Sequence, residues 1–258
     1  MRRRLHRLEP AAIAGVMSRD VTNFGTFWKA TTFSSVIEPT IYLLAFGLGV
    51  GTLISSVEGL DYVQYVGTGM VATSVLFAAA LSAMFGTFVK HRFQRTYDAI
   101  LAAPVDTEEL VTAEVLWMSA RAGIYGCTPL LVSILFGLEP SWGMLVVPFI
   151  GFVTALGFAS FGVLMAAVVS KIDSFNYVTT TVITPLFLVS GTFFPIEELP
   201  QWAQVVANIN PLYHCVELVR DAVFGFELVD LVHLAVLIGF ALLMWRLAIW
   251  RLEKRLID

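Results

Sequence analysis

The stretch Ser190–Gly225, SGTFFPIEELPQWAQVVANINPLYHCVELVRDAVFG, decides how the chain is read. It lies between two long apolar runs. Yet it carries Pro195, Pro200 and Pro211, the bulky Trp202, and the acids Glu197, Glu198, Glu217 and Asp221. A membrane-crossing helix needs about 20 consecutive, mostly apolar residues, and no such run exists here. GTFFPIEELP breaks the helix before it, and PQWAQVVANIN reads as one short helix. Pro211 starts a second, with Leu212, Val216, Val219 and Val223 at i, i+4, i+7 and i+11. His214, Glu217 and Asp221 take another face. Two short amphipathic helices suit a membrane interface or a re-entrant hairpin over the outer leaflet, not a crossing.

The surrounding sequence is built for lipid. Of 258 residues, 57% are hydrophobic and only 14% charged, and mean hydropathy is +0.79. Soluble domains carry roughly 25% charged residues. Six apolar runs emerge, at 31–54, 62–89, 115–138, 142–170, 174–196 and 228–250. Backbone groups in hydrocarbon must be satisfied within their own segment, so helices are expected. The fold class is an all-α membrane protein of six spans in a single domain over residues 1–258. Pro39, Pro129, Pro148 and Pro185 inside the runs predict kinks.

Charge sets the orientation. With both termini in the cytoplasm, fourteen of the sixteen Lys and Arg fall on that side. They lie in the N-terminal segment, after the second and fourth spans, and at the C-terminal end. The outer loops hold one cation, Arg220, and many acids, among them Glu58, Asp61, Glu139, Glu227 and Asp230. The basic start MRRRLHRLEP reads as a retained cytoplasmic segment and not a cleaved signal. Within 1–30, Ile13, Val16, Met17, Phe24, Phe27 and Trp28 keep helical spacing and predict an interfacial helix, although Asp20 spoils the pattern. The sizeable cytoplasmic loop, 90–110, holds a short helix that Pro104 stops. Asp106 or Thr107 then caps the next helix.

Catalytic chemistry is thin. No phosphate loop exists, and His6, His91, His214 and His233 are scattered without a metal-ligand spacing. Cys127 and Cys215 make no framework. Two charges inside the runs stand out, because such residues are costly in hydrocarbon. Glu38 and Arg121 lie at similar depth on the first and third spans, and are expected to pair or to line one polar cavity.

TYDAILAAPVDTEELVTAEVLW, at Thr96–Trp117, and the stretch PLFLVSGTFFPIEELPQWAQVVANINPLYHCVELVRDAVFG complete the pattern. An S-G-x-x-F-P-I-x-x-L-P block precedes N-P-L and E-x-x-R. Along its whole length the chain resembles the type-2 ABC exporter permeases, nearest the nodulation-type lipo-oligosaccharide and daunorubicin-type drug exporters. The resemblance implies a non-catalytic transmembrane subunit in the inner (plasma) membrane, with a second permease chain as a homodimer. Two copies of a separate ATPase chain bind the ATP and magnesium, so no cofactor is expected on this chain. An amphipathic substrate would leave the cytoplasm; nucleic acid has no part. The resemblance places a coupling helix at 92–102, with Arg92, Arg95, Thr96, Tyr97, Asp98 and Leu101 against the ATPase. It makes 197–227 an outer hairpin, with Pro195, Glu197, Trp202, Pro211, Glu217 and Arg220 at the exit gate. The alternative is a stand-alone channel or secondary transporter, which would need a polar path within one chain.

Overall fold

The structure, a computed structural model, describes residues 8–54 and 56–257. The cations Arg2, Arg3, Arg4 and Arg7, counted above for orientation, lie outside the described residues. Helix α1 (Pro10–Phe24) opens with proline in its first turn, where a missing amide costs nothing. Then α2 (Trp28–Leu48) leads to a small antiparallel hairpin, β1 (Ser56–Val57) and β2 (Leu60–Asp61). Glu58 and Gly59 turn it with positive φ of 51° and 79°, the backbone that a two-residue hairpin requires. The Asp61 side chain then accepts the Val63 amide at 3.0 Å and starts α3 (Tyr62–Phe88).

The chain leaves α3 through one wide turn, Val89–Phe93, into α4 (Thr96–Leu101). Arg95 between them sits in the left-handed region at φ 49°. Helices α5 (Thr107–Gly126) and α6 (Thr128–Leu135) follow one another through Cys127 as one long segment, with Pro129 in the first turn of α6. After α7 (Val147–Val168) come α8 (Phe175–Val178) and α9 (Thr184–Leu188), then α10 (Gln201–Ile209), α11 (Pro211–Phe224) and α12 (Leu231–Ile257).

Among the described residues, five helical segments are long and apolar enough to cross a membrane: Trp28–Thr52, Tyr62–Phe93, Thr107–Leu135, Val147–Val168 and Leu228–Leu256. The run expected as a fifth span, 174–196, is helical only from α8 to α9. A wide turn, Thr179–Ile183, separates the two. Pro185 lacks the amide that would continue the ladder, and Thr184 Oγ1 donates instead to the Thr179 carbonyl at 3.0 Å. The fourteen residues 175–188 extend roughly 21 Å at helical rise, short of the roughly 30 Å hydrocarbon core.

Packing explains the centre. Helices α3, α5 and α7 form one buried cluster, with α12 against α7, and α11 wedged among α3, α7 and α12. Small residues allow close backbone approach, which drives helix association where lipid is as apolar as leucine. Ala79, Ala80 and Ala83 on α3 and Ala159 and Ala166 on α7 are all buried. Gly162 sits where a Cβ would lie 2.6 Å from the Ala80 carbonyl oxygen and 3.0 Å from the Met84 nitrogen. The stripe Leu212, Val216, Val219 and Val223 is buried as its spacing predicts. But His214 and Arg220 are buried too, so α11 is packed on most of its circumference rather than resting on a surface.

Gly162→Ala should force α3 and α7 apart and lower stability by about 1–3 kcal/mol. Gly239→Ala in α12, where nothing lies within 4 Å of the added carbon, should be neutral or slightly stabilising. Thermal unfolding of the two variants in detergent checks the contrast, and equal effects would contradict the packing described.

Candidate functional site

At the α4 end of the bundle, three helices meet on one lysine. Lys90, in the wide turn that follows α3, donates to both carboxylate oxygens of Asp20 on α1, at 3.2 and 3.1 Å. It also donates to Glu114 Oε1 on α5, at 2.8 Å. The Tyr97 hydroxyl of α4 donates to the other Glu114 oxygen. Asp20, Glu114 and Tyr97 are buried. Burial first, and then the Glu114 carboxylate, push the Tyr97 phenol well above its ordinary value, so it stays a donor.

A second tie lies beside the first. Glu109 closes a capping box on α5 by accepting the Asp106 amide at 2.9 Å, and its other oxygen accepts the Glu9 amide at 2.8 Å. The start of α1 is thereby fixed to the start of α5. From α12, Arg255 donates to the Val169 carbonyl at 2.9 Å and so covers the last carbonyls of α7. Trp245 Nε1 donates to Thr112 Oγ1 at 3.1 Å.

Of the six residues expected to face a partner here, Arg92, Arg95 and Asp98 are exposed, and Thr96 and Leu101 half-buried. Tyr97 corrects that expectation: at 1% exposure it points into the bundle and hangs α4 from Glu114. Asp20, Lys90 and Glu114 were not singled out by sequence. The available signal was Asp20 itself, a charge breaking the apolar spacing of α1.

Glu38 and Arg121 line one cleft of about 410 Å³ between α2, α3 and α5. Among the described residues they form no ion pair within 4 Å. Thr31, Ser34, Ser35, Ser82 and Tyr125 add hydroxyls to the lining, and Ala30, Ala78 and Ala122 complete it. A neighbouring cleft of about 300 Å³ shares Ser82 and Arg121 with it, and reaches Lys90, Glu114 and Gln94. Polar side chains therefore run from the α4 end into the body of the bundle.

At the other end, Arg220 of α11 is buried under the start of α3. Its guanidinium lies over the Tyr65 ring at 3.8 Å, donates to Glu217 at 2.8 Å and reaches the Gly191 carbonyl at 3.2 Å. The Tyr65 hydroxyl donates to the same carbonyl at 3.1 Å. Gly191 holds φ +78°, the left-handed backbone that turns this carbonyl inward. Burial pushes Glu217 up to about 7 against the opposing pull of Arg220. Asp221 rises to about 6 through burial and the nearby Asp230. The expected gate residues Glu217 and Arg220 thus meet, whereas Glu197 and Trp202 are exposed and Pro195 and Pro211 half-buried. Two histidines also meet. His214 Nε2 lies 2.9 Å from the Asn208 carbonyl and donates to it, and His214 Nδ1 shares one hydrogen bond with His233 Nδ1 at 2.7 Å. The pair joins α11 to α12, an arrangement invisible in two scattered histidines.

Relatives share this sequence over most of its length. Nodulation protein J of Rhizobium meliloti (strain 1021) is 31% identical over 234 residues, covering 89% of each chain. Nodulation protein J of Rhizobium leguminosarum bv. trifolii is 31% identical over 235 residues, 89% of this chain and 90% of that protein. Inner membrane transport permease YadH of Escherichia coli (strain K12) is 27% identical over 246 residues, 92% and 94% of the two chains. A family model described as ABC-2 type transporter matches residues 12–224, a range that holds the lysine clamp, the cleft and the buried Arg220 together. The chain belongs to the ABC-2 type transporter family.

Proposed function

We propose that the chain is the transmembrane subunit of an ATP-driven exporter, moving an amphipathic substrate out of the cytoplasm. A separate ATPase, in two copies, supplies the energy, and two permease chains, as a homodimer, form the pathway. Both termini face the cytoplasm of an inner membrane, and the whole run 174–196 makes the remaining, sixth crossing. Its helix covers 175–188, and the non-helical residues 190–192 that follow are buried against α3 and α11, where irregular backbone is tolerated. The Escherichia coli relative is named an inner membrane transport permease, which supports the location.

One observation carries this reading. Helix α4 offers Asp98 outward, and the turn leading into it offers Arg92 and Arg95, while the helix's single buried aromatic, Tyr97, grips the Glu114–Lys90–Asp20 cluster inward. A push on its exposed face is passed to α1, α3 and α5 together. A ligand or partner shifts an equilibrium only through differential contact with its states, and this helix has a partner face and a body face. The α11 end, bound by Arg220, is then the outer gate.

In proteoliposomes holding both subunits, Tyr97→Phe should fold and bind the ATPase, yet export per ATP hydrolysed should fall about ten-fold, as for one lost hydrogen bond to a carboxylate. Normal export would place coupling elsewhere. Arg95→Glu with Asp98→Arg should instead weaken co-purification of the ATPase, and intact co-purification would remove α4 from the interface. At the gate, Glu217 has a folded pKa of about 7 against a reference of 4.5. The folded state therefore binds the extra proton, and stability should be full below about pH 4.5 and decline as pH rises through about 7. Glu217→Gln should flatten that decline in thermal unfolding; an unchanged pH profile would contradict the assignment.

A further inference from the structure

Arg121 carries five N–H donors. Among the described residues its guanidinium makes no hydrogen bond and no ion pair, and its ring contact is with Phe24 at 5.8 Å. Glu38 is exposed in the same cleft and is equally unpaired among the described residues. Opposite charges that face one space without meeting leave room for a molecule carrying both. At about 410 Å³, the cleft holds many times the roughly 30 Å³ that one water occupies in the liquid. Ser34, Ser35, Ser82 and Tyr125 add hydroxyls able to bridge phosphate or ester oxygens.

The helices give the site a direction. Residues three apart share a helix face. Ile41 follows Glu38 by three and is 59% exposed, and Ile124 follows Arg121 by three and is 68% exposed. Both lie one turn toward the α11 end. Charge sits nearer the α4 end, and exposed apolar side chains lie beyond it on both helices, in the order of headgroup and acyl chain.

We infer that this cleft binds the headgroup of a zwitterionic phospholipid that carries a primary ammonium. The phosphate sits on Arg121, whose planar fork matches it bidentately. The ammonium donates to the Glu38 carboxylate. A trimethylammonium has no N–H to donate, and an anionic headgroup sets like charge against Glu38, so ethanolamine is preferred to choline or glycerol. The acyl chains run along Ile41 and Ile124. Binding needs no nucleotide or ATPase, so the inference stands or falls apart from the export reading.

The test uses the purified full-length chain in mixed micelles holding equal phosphatidylethanolamine, phosphatidylcholine and phosphatidylglycerol, with retained lipid counted by native mass spectrometry. Wild type should retain phosphatidylethanolamine about ten-fold over the other two, as for a charge-assisted hydrogen bond gained. Arg121→Gln should lose retention about ten-fold. Glu38→Gln, at an exposed position, tests the site without touching the core: it should keep a lipid but lose the preference for ethanolamine over glycerol. Millimolar inorganic phosphate should leave the lipid in place. Displacement by phosphate would assign the cleft to the free anion and overturn the inference. Equal retention of the three lipids by wild type, or an unchanged preference in Glu38→Gln, would overturn it as well. So would a dimer that Glu38→Gln dissociates while lipid retention stays constant, because Glu38 would then face a second copy.

Discussion

Lys90 sits where a long apolar helix leaves the bundle, held between carboxylates from two other helices. Two acids and one base in a mostly buried setting do not make a fold stable by themselves. Desolvation cancels much of what the charges gain, but removing one member strands the others at about 3–5 kcal/mol. The cluster therefore acts as a geometric specification. It requires α1 to fold back along α5 so that Asp20 can reach the lysine, and it requires α4 to sit where Tyr97 can reach Glu114. Helices α1 and α4, far apart in sequence, become parts of one body.

The remainder of the molecule divides by how tightly it is packed. Small residues bring α3 and α7 into near backbone contact, and a rigid centre follows. Helix α2 is different. Leu43 is buried, but Phe33 and Ile41 on the same helix are 67% and 59% exposed. The cleft with Glu38 and Arg121 opens between this loosely held helix and the rigid centre. Arg220 locks the opposite end through Tyr65 and the Gly191 carbonyl. The body is thus a stiff core, one lightly attached helix, and an end pinned by Arg220.

Much of this was legible from residue order. Hydropathy placed five of the long segments, and a cap at Asp106 or Thr107 and the break at Pro211 announced helix starts that the structure has, with Asp106 as the cap. The stripe on α11 named its buried face, and equal depth on parallel helices put Glu38 and Arg121 on one cleft. What escaped was long-range. Composition could not say that Thr179–Ile183 widens into a turn and leaves 175–188 short, because threonines beside a proline look apolar enough on average. The direction of Tyr97 depended on Glu114, seventeen residues away. The His214–His233 contact depended on the packing of α11 against α12. Periodicity reports which face is apolar, not which charges from other helices will meet.

Hydrogen exchange of the full-length chain with Lys90→Met tests the clamp most directly. Loss of amide protection across both 10–24 and 96–101, with α7 unchanged, is the expected result. Faster exchange confined to the few residues around position 90 would show that α1 and α4 are held by other means.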